Sequence, residues 1–241
     1  MTIDKQSPIP IYHQLEEQIK KKIDSGEYKP GEAIPSEREY AEELGISRMT
    51  VRQAITNLVN EQYLYRIKGK GTFIAEQKLE QKLTGLTSFT EDMLARGMTP
   101  SNRLVHFEII PAKESLAKEL EIPEYSPIYE IKRVRLAEGV PMALEKTYIS
   151  ANLVKGLTEK IVQASLYQYI EKELNLKIGK ARQIMEAAIA NDEEIKLLEI
   201  DKHSPILLMK RVTHLENGKP FEIVKSSYRA DRYKFMIDLE R

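Results

Sequence analysis

KPGEAIPSEREYAEELGISRMTVRQAITNLVNEQYL, residues 29–64, sets the architecture of the first part of the chain. Ser36 and Glu39 stand at the capping-box spacing, in which a hydroxyl and a carboxylate each take the other's free backbone N–H. A short helix therefore opens there and runs to about Leu44, and Gly45 closes it. Ser47 caps the next helix, where Val51, Ala54, Ile55, Leu58 and Val59 recur at the spacing of one buried face. Arg48 and Arg52, four apart, lie together on a different, outward face.

Before this stretch, Ile11, Leu15, Ile19 and Ile23 recur every four residues and give a first helix one apolar face, ending near Ser25-Gly26. EYKPGEAIP then reads as turn chemistry. After it, YLYRI, KGKG and TFIA read as a two-stranded hairpin whose glycine-rich tip holds Lys68, Gly69 and Lys70. Helix, short helix, tight turn, helix and basic hairpin is the order of a winged helix-turn-helix, in which the last helix offers its early residues to base edges. Here those residues are Arg48, Thr50 and Arg52. The arginine fork matches guanine O6 and N7, and threonine bonds to a base or touches a thymine methyl.

At 241 residues the chain is long enough for one large or two small domains. Its 41% hydrophobic and 31% charged residues exclude disordered and low-complexity classes. The absence of Cys excludes a disulfide framework, a thiolate metal site and a thiol nucleophile, and a reducing compartment, the cytoplasm, is expected. MTIDKQSPIPIYHQ lacks a basic region followed by an apolar run, and no later stretch approaches the roughly 18 apolar residues of a membrane span, so no membrane association is expected. Net charge is zero, yet residues 1–43 carry −4 and residues 44–75 carry +4. Such a local basic surface is the footprint of a small DNA-reading module fused to a larger neutral domain.

IPIYHQLEEQI, the 29–64 stretch and KGKGTFIA resemble the GntR-type winged-helix repressors over residues 8–75, with PSER, SRMTVRQA and GKGTF as the specific core. In that family the arginine of PSER and the two of SRMTVR contact DNA, and the wing-tip glycine enters the minor groove. The resemblance thus implies DNA contacts at Arg38, Arg48, Arg52 and Gly69. Ser47, Thr50, Lys68 and Lys70 join them from their places at the helix start and on the wing. An isolated arginine on an amphipathic helix is ordinarily solvated or paired; the ordered set with the wing favours DNA.

EQKLEQKLTG, residues 76–85, is polar and shows no cap or strand signal. It reads as a linker between a DNA-binding domain, 1–75, and a second domain, 86–241. In the latter, VHFEII, PIYEIKRVRLA, PMALEKTYIS, KARQIMEAAIA, PILLMKRVTHLE and PFEIVKSSYR alternate as strands, with helices expected near 87–96, 114–121, 165–175 and 192–199. Tight turns between strands imply an antiparallel sheet with helices to one side, an α+β fold. Pro127-Ile128, Lys132-Arg133-Val134, Glu138, Gly139 and Pro141 recur as Pro205-Ile206, Lys210-Arg211-Val212, Glu216, Gly218 and Pro220. Two like hairpins suggest a pseudo-symmetric sheet with a cleft on one face.

Arg133 and Arg135, two apart on a strand, project to one face with Tyr129 and Ile131 and suit the clamping of a dianion. Ser165 opens SLYQYIEKEL, where a hydroxyl and free backbone N–H groups form a natural phosphate site, and Tyr167 lies in the same turn. Glu145 on the return strand, and Glu222 with Tyr228 in the second hairpin, offer acceptors and a ring for sugar hydroxyls. Each also has an ordinary structural role: a strand arginine serves in an ion pair, and Ser165 caps a helix without any ligand.

LTSFTEDMLARGMTP, the KRVRLAEGVPMALEKTYI hairpin and FEIVKSSYRADRYKF resemble the effector-binding UTRA domain of HutC-type GntR repressors. That domain has a chorismate-lyase-like fold, but fold likeness carries no activity. The likeness is greatest to members that sense a phosphosugar, glucosamine-6-phosphate or N-acetylglucosamine-6-phosphate. It implies that Ser88, Phe89, Thr90, Arg133, Arg135, Ser165 and Tyr167 hold the phosphate, while Glu145, Glu222 and Tyr228 face the sugar. One wing unit reads too little sequence alone, and half-sites lie roughly one turn, ~34 Å, apart, so a homodimer joined through the second domain is expected on a palindromic operator.

The rivals are a regulator sensing another small anionic metabolite, a phosphosugar enzyme, and a constitutive architectural DNA binder. His13, His106, His203 and His214 are scattered without metal-ligand spacing, and GxSxG, HExxH and P-loop motifs are absent. Neither catalysis nor a metal or other cofactor is expected. An architectural role would leave residues 86–241 without a purpose.

Overall fold

The computed structural model describes residues 1–83 and 85–239. The chain divides into two compact units, Met1–Lys78 and Leu79–Arg241. In the first, α1 (Ile11–Asp24), α2 (Glu37–Leu44) and α3 (Arg48–Asn60) precede an antiparallel hairpin of β1 (Leu64–Ile67) and β2 (Gly71–Ile74). The start of α2 is a complete capping box: Ser36 Oγ accepts from the Glu39 N–H at 3.2 Å, and Glu39 Oε2 accepts from the Ser36 N–H at 2.7 Å. Gly45 is left-handed, with φ 61°, where a β-carbon would be strained. Leu15, Ile19 and Ile23 of α1 meet Tyr40 of α2 and Val51, Ala54, Ile55 and Leu58 of α3 in one core. Leu64 and Ile74 join that core and pin the hairpin to the helices. EYKPGEAIP is more than a turn. Ala33 bridges Phe73, and the Ile34 N–H donates to the Thr72 carbonyl at 2.9 Å, which ties this segment to the open edge of β2.

The second unit is built on six antiparallel strands: β4 (Pro100–Pro111), β5 (Pro127–Ala137), β6 (Val140–Ser150), β7 (Ile178–Ile189), β8 (Pro205–Leu215) and β9 (Pro220–Arg229). They lie in the order β4-β5-β6-β9-β8-β7. Helix α4 (Phe89–Ala95) precedes the sheet, and α5 (Glu114–Leu120) and α8 (Asp192–Leu198) connect β4 to β5 and β7 to β8. The β4-α5-β5-β6 and β7-α8-β8-β9 stretches are therefore two copies of one unit, joined where β6 pairs with β9. This is the architecture behind the repeated hairpins.

Four features differ from the sequence reading. Helices cover both sheet faces, not one: Ile128 packs on α5 and Val134 on α8, while Tyr129 and Ile131 pack on the other side with Val162, Leu166 and Ile170. Those last residues belong to α6 (Glu159–Gln163), α7 (Leu166–Gln168) and the turn after them; α6 was not anticipated. The helix expected over 165–175 is split into the short α7 and a wider π-type turn, Tyr169–Glu173. Finally, the stretch read as linker contains a strand. Here β3 (Leu79–Lys82) pairs in parallel with β10 (Tyr233–Met236), with Leu79 opposite Tyr233.

Candidate functional site

In the first unit, the start of α3 exposes Arg48 and Arg52, and the wing tip exposes Lys68, Gly69 and Lys70. Ser47 Oγ caps α3 by accepting from the Thr50 N–H at 3.1 Å, and it shares a second bond with Thr50 Oγ1 at 2.8 Å. Gly69 has φ 77°, which gives the basic tip its tight reversal. Arg38 pairs with Glu42 at 2.7 Å, and Arg52 with Glu37 at 3.0 Å. These arginine side chains remain 75% and 52% exposed, and solvent screens such surface pairs, so neither guanidinium is locked to its carboxylate.

In the second unit, Ser88, Phe89, Thr90, Arg133, Arg135, Glu145, Ser165, Tyr167, Glu222 and Tyr228 all line one cavity of about 520 Å³. Strand alternation brings Arg133 and Arg135 of β5 to the face that also carries Glu145 of β6 and Glu222 and Tyr228 of β9. The starts of α4 and α7 supply the rest. Both arginines are 4% exposed. Arg133 donates through Nη1 to the Val162 carbonyl at 2.7 Å and through Nη2 to the Glu145 carboxylate. Arg135 donates through Nη2 to Thr90 Oγ1 at 2.9 Å and lies 4.8 Å from the centre of the Phe89 ring. The Nε of each arginine is buried with no acceptor among the described residues.

Burial pushes the Arg135 guanidinium down to about 10, with Glu145 opposing and Arg133 adding to the shift. Burial alone would raise the Glu145 carboxyl, but Arg133 and Arg135 together hold it below the ordinary carboxylate value. At Glu222, burial and the neighbouring Glu145 charge push the carboxyl up to about 7. Its Oε2 accepts from Tyr167 Oη at 2.9 Å and from Thr213 Oγ1 at 3.1 Å. Burial and Glu145 likewise push the Tyr228 hydroxyl up to about 12. Two hydroxyls are partly engaged within their own caps: Ser88 Oγ donates to Glu91 at 2.8 Å, and Ser165 Oγ accepts from the Gln168 N–H at 3.4 Å.

Residues 11–74 match the family described as bacterial regulatory proteins, gntR family, and residues 95–234 match the UTRA domain. The chain belongs to the GntR family. It is 52% identical to the HTH-type transcriptional repressor NagR of Bacillus subtilis, over all of this chain and 99% of that one. It is 34% identical to the mannosyl-D-glycerate transport/metabolism system repressor MngR of Escherichia coli, over 96% and 97% of the two chains. Among solved structures it resembles PhnF of Mycobacterium smegmatis, with TM-score 0.71 and 28% identity over 95% and 98% of the chains. This GntR protein is thus a transcriptional repressor of the HutC type with a DNA-binding winged helix-turn-helix, and not an enzyme. No described helix is long and apolar enough to cross a membrane.

The sequence reading of this GntR repressor passed over two groups that stand beside the proposed ones. Arg66 of β1 donates to Thr56 Oγ1 of α3 at 3.1 Å and lies 3.8 Å from Glu37, the carboxylate that also holds Arg52. Arg211 of β8 lines the cavity; its Nε donates to Gln183 Oε1 at 3.0 Å and its Nη1 to the Thr87 carbonyl at 3.3 Å. A signal for Arg211 was present, because the offset that maps Lys132-Arg133-Val134 onto Lys210-Arg211-Val212 makes it the counterpart of Arg133.

Proposed function

We propose that this repressor binds a palindromic operator as a homodimer and releases it when glucosamine-6-phosphate or N-acetylglucosamine-6-phosphate enters the cavity of the second unit. The observation that carries the reading is the pair of buried arginines whose Nε donors find no acceptor among the described residues. A buried cation with an unmet donor is costly, and an anion of two or three acceptor oxygens relieves that cost. Arg133 and Arg135, with Ser88, Phe89, Thr90, Ser165 and Tyr167, hold the phosphate in this reading. Glu145, Glu222 and Tyr228 face the sugar. Similarity to NagR supports an amino sugar as the body of the ligand.

On the DNA side, Arg48, Thr50 and Arg52, capped in place by Ser47, read base edges. Arg38, Lys68 and Lys70 take phosphates, and Gly69 enters the minor groove. Binding energy shared in this way separates register from sequence preference. The working compartment is the cytoplasm, where operator and sugar phosphate are both at hand.

A thermal-shift panel of sugar phosphates on the full chain tests the effector, since a ligand at 100 times its Kd stabilises by roughly 2.7 kcal/mol. Stabilisation by an amino-sugar phosphate together with weaker operator binding is expected. Stabilisation by a different small anion alone would reassign the ligand, and a sugar phosphate that stabilises without altering DNA affinity would remove the inducer role.

A further inference from the structure

Arg211 holds on β8 the place that Arg133 holds on β5, in the same cavity, but it is tied to different groups. Arg133 is bound to a carboxylate and to the Val162 carbonyl. Arg211 is bound to a side-chain amide and to a main-chain carbonyl: Gln183 Oε1 fixes its Nε, and the fork so oriented reaches the Thr87 carbonyl. Thr87 directly precedes Ser88-Phe89-Thr90, and at the far end of that stretch Arg135 bonds Thr90 and lies beside Phe89. Residues 87–90 are therefore fastened at two points, one from each copy of the repeat.

Along the chain this strap follows β3, whose first residue, Leu79, comes directly after the last residue of the DNA-binding unit, Lys78. A ligand shifts a conformational equilibrium only through contacts that differ between the two states. An anion at Arg133 and Arg135 competes with Thr90 for Arg135, so it changes one fastening of the strap. What happens to the rest of the strap then depends on the other fastening.

We propose that Arg211, aimed by Gln183, is the positioning residue that converts occupation of the cavity into a defined displacement of residues 87–90 and of the chain leading to the DNA-binding unit. With that fastening removed, the strap is loose whether or not the cavity is filled, and the effector no longer distinguishes two arrangements. The inference rests on the proposed inducer reading. It assigns Arg211 to coupling and not to holding the phosphate.

The test uses the full chain, glucosamine-6-phosphate as probe, and a DNA duplex selected by the ligand-free protein from a random-sequence pool. Calorimetry gives the effector Kd, and competition binding gives the ratio of DNA affinities without and with saturating effector. In wild type that ratio is expected in the range of about 5–150. For Arg211→Gln it is expected to fall toward one while the effector Kd stays nearly unchanged, and amide exchange of residues 86–90 should be faster in the ligand-free chain. Gln183→Leu keeps the arginine but frees its fork and should give the same result; it decides the matter if Arg211→Gln does not fold. Arg211→Lys keeps the charge without the fork and should not restore the ratio.

An effector Kd weakened in Arg211→Gln as far as in Arg135→Ala would make Arg211 a ligand contact and overturn the proposal. So would an unchanged ratio in both variants, or full rescue by lysine. A wild-type ratio of one would instead remove the inducer reading and this proposal with it.

Discussion

Arg133 and Arg135 share a face but not a set of partners, and the difference decides what each substitution reports. Arg133 neutralises the largely buried Glu145, so Arg133→Ala leaves that carboxylate with Arg135 alone and should cost up to about 3 kcal/mol of stability along with phosphosugar affinity. Arg135 is 4.0 Å from Glu145 and otherwise bonded to Thr90, which makes it the cleaner probe. Calorimetry on Arg135→Ala should show a far larger loss for glucosamine-6-phosphate than for the unphosphorylated sugar.

Glu222 gives the unliganded protein a pH signature. Its folded carboxyl sits near 7 against an ordinary 4.5, so between those values the unfolded chain has shed a proton that the folded chain keeps. Stability should therefore fall as pH rises from 4.5 to about 7 and level off above, and Glu222→Gln should remove that slope in urea titrations. Glu145 acts in the opposite sense at lower pH. Its depressed folded value contributes stability that is fully present above 4.5 and lost as pH falls from there through the lower folded value. On the DNA face, Arg48→Ala should flatten discrimination among sequences, whereas Lys70→Ala should weaken all DNA alike and reduce the salt slope by about one. Competition binding at fixed and at varied salt separates the two.

At the scale of elements, legibility followed locality. Helices α2 and α3 were readable because each carries its own serine cap, α2 also a glycine stop and α3 a periodic apolar face, and Ser36→Ala should accordingly lower stability by about 1 kcal/mol in thermal denaturation. The strands β5, β6, β8 and β9 alternate and are joined by short turns, so two repeats of one hairpin are legible in the sequence alone. The ten cavity residues followed from strand alternation and from family resemblance together. The pair of β3 and β10 gave no such sign: a parallel partner far along the chain leaves no local pattern, and LEQK is polar. Helix α6 is one short turn with only the Thr158 cap to announce it. Because β3 is paired, an insertion of Gly-Ser after Gln81 would break a strand, while one after Gln77 spares it. The second variant should keep effector affinity and lose much of the effector's influence on DNA binding, as read by competition in both states.

For the molecule as a whole, the inducer reading obliges a symmetry of effects. If the phosphosugar weakens operator binding by some factor, operator must weaken phosphosugar binding by the same factor, and calorimetry on free and DNA-bound chain measures it directly. The two copies of the sheet unit add a constraint of another kind. Arg133, Arg135 and Glu145 in the first copy correspond to Arg211, Thr213 and Val224 in the second, so walls alike in outline reach the same formal charge by different means, two guanidinium groups and a carboxylate against a single guanidinium. If the proposed phosphosugar is the ligand, its heading in this chamber is set by geometry and not by net charge: the first wall offers its head two forks with unmet donors, whereas turned end for end it would meet one fork already engaged by Gln183 and Thr87.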